Sequence, residues 1–196
     1  MKPRLFRSFA KDRRGATAAE FGVVCGLFIA MALGSIDFAR LAWEINAAKA
    51  AARAGARLLV VRPMLSNTLQ AYSGTAAGYA PGESVPSGAV DPVTCTGSGA
   101  TTFTCSDGGT VNATVSAALI DRMQGLYPGI TAANVEVVYT HVGLGFVGNL
   151  DGPDIDPLVT VRVVDVQFQP SILQVFGLDG FELPSMETTF SGEDFG

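Results

Sequence analysis

The chain has 196 residues, 48% of them hydrophobic, and a mean hydropathy of +0.33, which allows one ordinary domain plus an extra apolar element. Its net charge of −5 hides an asymmetry: six of the 13 basic residues but only one of the 18 acidic ones precede Gly15, leaving seven basic and 17 acidic residues after it. That acidic body argues against nucleic acid as a partner, and a basic head followed directly by an apolar segment reads as the cytoplasmic flank of a membrane anchor rather than as a nucleic-acid-binding arm.

The segment FGVVCGLFIAMALGSI, residues 21–36, carries no charge between Glu20 and Asp37. As a helix it covers roughly 24 Å, a little less than a bilayer core; extending it back through residues 16–19 reaches full length but places Glu20 inside. A secretory signal peptide is the competing reading, yet no A-x-A-type site leads into a non-helical start. The helical pattern instead continues through DFARLAWEINAAKAAARAGARLLVV, with Leu41, Ile45, Ala48, Ala52 and Leu59 at helical spacing and Lys49, Arg53 and Arg57 on another face. Pro63 is the first proline after the leader and should stop the helix. Residues 16–62 are therefore expected as one helix of about 70 Å, crossing a membrane over about 21–41, with small surface residues suited to close helix packing.

Residues 63–110, rich in Gly, Ser, Thr, Pro and Ala, read as a long loop. Cys95 and Cys105 bracket TCTGSGATTFTC; such a lone close pair is consistent with a disulfide if the region lies outside the cytosol. A metal site would need further ligands, no CxxC is present, and the single histidine, His141, is far away in sequence. Cys25, inside the apolar run, is expected to stay a thiol.

From residue 111 the patterning becomes that of a compact domain, expected to run to 190 before a short tail, 191–196. Val115, Leu119, Met123 and Leu126 fall at helical spacing, with Gly125 and Pro128 to end the helix. NVEVVYTHV alternates, placing Val135, Val137, Tyr139 and His141 on one face of a strand. PLVTVRVVDVQF reads as a mostly buried strand, and FELPSMETTF as a weaker third one whose Pro184 suits an edge. The fold class expected is α+β: a helix packed on an antiparallel three-stranded sheet, behind a long N-terminal membrane helix.

Several motifs carry little chemistry. GLGFVG, residues 143–148, fits G-x-G-x-x-G, but the turn-rich NLDGPDIDP follows it where a dinucleotide site needs a helix, so it reads as a loop between strands. Asp151, Asp154 and Asp156 in that loop are candidate calcium ligands, although their spacing misses the EF-hand pattern. His141 reads as a strand residue rather than a ligand or base. The terminal Asp194-Phe195-Gly196 copies a kinase tripeptide without kinase context. No nucleophile–base pair and no metal-ligand set stands out, so neither an enzyme nor a cofactor is expected.

The most informative stretch is RRGATAAEF, residues 13–21: a basic pair, a glycine, small residues and a glutamate placed before the span. It resembles the processing site of type IV prepilins, which a membrane aspartyl protease cleaves after glycine. The resemblance implies that Gly15 ends the leader (1–15), that Ala16 is the mature N-terminus, and that Glu20, followed by Phe21, is the fifth mature residue. It further implies that Glu20 sets subunit register by pairing with a neighbour's N-terminal ammonium.

The wider sequence resembles the TadE-like pseudopilins of tight-adherence (Flp, type IVb) pilus systems, through RRGATAAEF, the apolar run, DFAR at 37–40 and AARAGARLLVV at 51–61. The resemblance covers residues 13–62 and extends loosely to the C-terminal strands, but not to 63–110. It implies a pilin-like minor subunit acting in pilus assembly, secretion and adherence. The implied partners are other pilins and pseudopilins, the assembly platform, the prepilin peptidase and the inner membrane. The N-terminus would be cytoplasmic and the domain periplasmic, in or at the base of a pilus. Asp37, Arg40 and Glu44 have the spacing of helix-surface ion pairs, with Asp37 and Arg40 also candidate partner contacts; the Ala51–Arg57 element, with its Arg53 and Arg57, either docks a partner or forms a solvated face. The alternatives are an uncleaved signal-anchored periplasmic protein unrelated to pili, and a periplasmic enzyme on a membrane stalk, for which no active site is visible.

Overall fold

A long stretch free of proline and rich in Ala, Leu and Arg favours helix, and the computed structural model has one, α1, over Ala16–Leu59. The structure describes residues 15–150 and 152–192. The basic residues 1–14, Asp151 and residues 193–196, with the Asp194-Phe195-Gly196 tripeptide, lie outside the described residues. The chain forms two compact units, one of Met1–Ala42 with Gln169–Gly180 and one of Trp43–Phe168 with Phe181–Gly196.

In the first unit the uncharged run of α1 is apolar all round. Phe21, Val23, Val24, Leu27, Phe28 and Met31 are each at least 64% exposed. A helix of this kind must be covered by lipid or by other helices. Among the described residues α1 is the one helix long and apolar enough to cross a membrane, which fits a single-pass membrane protein. The second piece, residues 169–180, contains a 3-10 turn, Leu173–Phe176, closed by Gly177 at φ 82°, a conformation that glycine adopts without steric cost.

The second unit holds the core. The later part of α1 contributes Ala47, Ala48, Ala51, Ala52, Ala56 and Leu59, all buried. A short helix α2, Asn67–Gln70, follows, capped by the Ser66 hydroxyl accepting from Leu69 N at 3.1 Å. Helix α3, Ala113–Gln124, starts at Asn112, whose side-chain oxygen accepts from Thr114 N and Val115 N. It buries Val115, Leu119, Ile120 and Met123, whereas Leu126 falls beyond its end and is 42% exposed. Five strands form an antiparallel sheet in the order β2-β1-β3-β4-β7: β1 Val93–Ser98, β2 Thr102–Cys105, β3 Val135–Thr140, β4 Leu158–Val163 and β7 Met186–Ser191. Register aligns one apolar face across it. Val137 lies between Cys95 and Val161, and Tyr139 between Val93 and Val159, all buried. On the other face Arg162 binds Glu136 at 3.1 Å and Glu187 at 2.8 Å. A separate ribbon pairs β5, Gln167–Phe168, with β6, Phe181–Glu182, their Phe168 and Phe181 rings 5.6 Å apart.

The α+β class and the helix-plus-antiparallel-sheet domain agree with the sequence reading. The sheet, however, has five strands instead of three, because two strands arise inside residues 63–110, where a loop was expected. TCTGS has weak strand propensity, and Gly97 has no side chain. It is strand because Val93 and Cys95 fill core positions opposite Tyr139 and Val137, and position 97 must be glycine because a Cβ there would overlap the Ala132 carbonyl. The expected buried strand 157–168 alternates instead, with Thr160 and Arg162 on the half-exposed face, and it breaks at Asp165, where φ is 54°. The expected third strand divides at Leu183-Pro184-Ser185 into β6 and β7; β7 is the sheet edge, as a nearby proline suits.

Candidate functional site along the N-terminal helix

Gly15 stands immediately before the first helical residue, Ala16, and a Cβ built on it meets nothing within 4 Å. Glu20 and Phe21 are exposed on the first turns, and Glu20 makes no ion pair among the described residues. The expected cleavage and register residues thus share one accessible end of α1. Cys25 is a free thiol within the run.

Asp37 ends the uncharged run and is 1% exposed. Its carboxylate accepts backbone N–H bonds from Ser171 at 3.1 Å, Ile172 at 2.8 Å and Leu173 at 2.8 Å. Only Leu173 N belongs to the 3-10 turn, whose first N–H groups lack partners within it; Ser171 and the N-cap Ile172 precede the turn, and the three bonds together satisfy a buried carboxylate. Arg40 lies one turn on, 3.6 Å from the same carboxylate, and also donates to the Ser171 hydroxyl. The ion pair read from the i, i+3 spacing is present, but the larger part of the Asp37 interaction is with residues 171–173. Sequence reasoning missed that turn, although Pro170-Ser171 ahead of it is a turn-start signal.

The 51–57 element has two faces. Ala51, Ala52, Gly55 and Ala56 are buried within the chain, and a Cβ at Gly55 would lie 3.0 Å from Leu119 Cδ1 and from Met123 Sδ, so Gly55 serves close packing on α3. Arg53 and Arg57 face outward, where they join Arg62 and Arg122 around an open groove of about 540 Å³ floored by Ala54, Leu58 and Leu126. None of these four arginines makes an ion pair among the described residues; Arg57 sits over the Phe190 ring at 5.9 Å. Four of the seven basic residues beyond the leader therefore crowd one groove of an otherwise acidic chain. Neither Arg62, which follows Arg57 just past the end of α1, nor Arg122 was singled out from sequence; Arg122 joins the groove only because α3 packs beside α1.

Cys95 and Cys105 are disulfide-bonded and face each other across β1 and β2. Asp154 is buried and accepts from Gly74 N at 2.6 Å, Gly148 N at 2.8 Å and Asn149 N at 2.9 Å. Burial alone would raise its pKa, and the three donors more than reverse this, so the group is held below the usual carboxylate range. Oxygens surrounded by N–H donors are poorly placed to ligate calcium, and no metal-binding group of three occurs among the described residues. Asp156 is pushed up by burial, against the opposing pull of His141. His141 follows β3 directly and is buried, its Nε2 3.1 Å from the Val85 carbonyl. The 143–148 glycines form a loop between β3 and β4, with positive φ at Gly143, Gly145 and Gly148.

No curated protein and no solved structure matches the chain. Residues 15–57, which run from the glycine at the start of α1 through the apolar run, Asp37, Arg40 and the arginine-bearing face, match the family described as TadE-like protein.

Proposed function

We propose that the protein is a minor pseudopilin that acts in assembly of a tight-adherence pilus, through contacts of α1 and the domain with other pilins. The observation that supports this most is the coincidence of three things in the TadE-like stretch: a glycine at the helix start, an exposed glutamate one turn on, and an uncharged exposed helix behind them. An apolar helix stored in the inner membrane can be transferred to a bundle of similar helices at small net cost, because lipid tails and aliphatic side chains are about equally apolar. The polar group at the edge of the span then selects the partner, since an unpaired carboxylate there is expensive and a neighbour's N-terminal ammonium relieves it. Glu20 fills that role once cleavage has freed the Ala16 amine. The domain lies on the periplasmic side in this reading, because the basic leader is retained in the cytoplasm. Arg53 and Arg57, in the groove they share with Arg62 and Arg122, offer a contact for an acidic neighbour. The family is structural rather than enzymatic, and the protein acts by binding.

Mass spectrometry of protein extracted from the membranes of its native host tests this. The expected mature N-terminus is Ala16, and Gly15→Leu should leave full-length precursor, because a bulky side chain does not fit beside the scissile bond. Retention of residues 1–15 in the wild-type protein would remove the main support for the pilin reading and favour an uncleaved signal anchor.

A further inference from the structure

We propose that residues 169–180 are a second membrane contact, a loop seated at the boundary of headgroups and acyl chains beside the end of the α1 span. The proposal rests on the membrane-spanning reading of α1 and not on its role in a pilus.

Depth is the first argument. The loop is tied to α1 by the three hydrogen bonds into Asp37, and Leu173 Cδ2 lies 3.5 Å from where a Cβ of Gly34 would stand. Gly34 belongs to the uncharged run. The charge preceding Asp37 is Glu20, about 25 Å away along the helix, so a bilayer centred on that run brings its boundary to Gly34 and Asp37. A loop fixed to those residues shares their depth within about one helical turn.

Chemistry is the second argument. Residues 169–180 contain Pro170, Ile172, Leu173, Val175, Phe176 and Leu178 and only one ionisable group, Asp179. Leu178 is 54% exposed, as a side chain kept for lipid should be. A segment entering a low-dielectric zone must also satisfy its backbone internally. Here Ser171, Ile172 and Leu173 donate to Asp37, Gly177 N donates to the Gln174 carbonyl at 3.0 Å, and Leu178 N to the Leu173 carbonyl at 3.2 Å. Arg40, half-exposed, bridges Asp37 and the Ser171 hydroxyl of the loop, so its charge offsets the buried carboxylate and its exposed part meets the headgroup zone. The loop therefore acts as a collar that fixes how deep α1 sits in the bilayer.

The full-length chain, reconstituted alone into phosphatidylcholine and phosphatidylglycerol vesicles with brominated acyl chains, tests this. In a Trp43→Phe background, which removes the one native tryptophan, Leu178→Trp is compared with Phe28→Trp in mid-span; an intact Cys95–Cys105 disulfide and unchanged circular dichroism check the fold. Both probes should show blue-shifted emission. Leu178→Trp should lose more of its emission to lipids brominated near the headgroups than to those brominated deeper, as an interfacial group does, with Phe28→Trp showing the reverse order. Water-like, unquenched emission from Leu178→Trp beside a quenched Phe28→Trp overturns the proposal and leaves the span intact; it is also the result expected if the loop is reserved for another pilin. If neither probe is quenched, the span and the collar fall together.

Discussion

Gly55 decides whether the small-residue face of the 51–57 element serves this chain or a neighbour. A Cβ there would meet Leu119 Cδ1 and Met123 Sδ at 3.0 Å and Met123 Cγ at 3.2 Å. These are ends of flexible side chains, which can yield by a few tenths of an ångström. Gly55→Ala also removes the glycine penalty within a helix, about 1 kcal/mol, so that variant should be close to neutral. Gly55→Leu recovers most of the same propensity but must place three further carbons between α1 and α3, where neither helix can withdraw without opening the core. Overpacking costs about 1–3 kcal/mol, and a side chain four carbons larger falls at the upper end, about 2–3 kcal/mol, so after the recovered propensity of about 1 kcal/mol the net loss should be about 1–2 kcal/mol. For a domain of this size that is a fall in Tm of about 2–8 °C. Thermal melting of the full chain in detergent, followed by near-UV circular dichroism with Gly55→Ala as reference, measures it. If Gly55→Leu melts with the wild type while pilus assembly fails, the glycine faces a partner and the packing argument is wrong.

Glu20→Ala should give protein that is processed, inserted and disulfide-bonded yet forms no pili; normal piliation at normal protein levels would sink the register role. Asp154 has a folded pKa below its unfolded value, so its contribution is present above the unfolded pKa, near 4, and is lost as pH falls through the folded one. Melting across pH 2–6 should show this acid loss in the wild type and a flatter profile in Asp154→Asn, whereas Asp154→Ala, which strands three N–H donors, should cost about 2–4 kcal/mol at neutral pH. Alkylation without reductant should label Cys25 alone, and Cys105→Ser should destabilise the domain by about 2–3 kcal/mol, as expected for a crosslink between residues ten apart. Labelling of both Cys95 and Cys105 in freshly isolated protein would contradict their pairing.

Local pattern alone determined α1, α3 and β3. The proline-free, alanine-rich run, the 3.6-residue spacing of Val115, Leu119 and Met123, and the alternation of Val135, Val137 and Tyr139 each state which side of an element is apolar. The glycine before the span and the length of the uncharged run were equally legible, because both are properties of contiguous residues. What covers an apolar side, and where a buried charge finds its donors, depends on chain that returns from far away. Strand β1 has little propensity of its own and exists because β3, some forty residues later, offers it a partner. Asp37 looked like one half of a surface ion pair with Arg40 until the turn more than 130 residues downstream presented its three N–H groups. Ala51, Ala52 and Ala56 belong to an element that read as either a partner dock or a solvated face, and the folded chain buries them in its own core. A side chain one turn along a helix is fixed by the 5.4 Å pitch, whereas the identity of its cover is set only when the whole core closes.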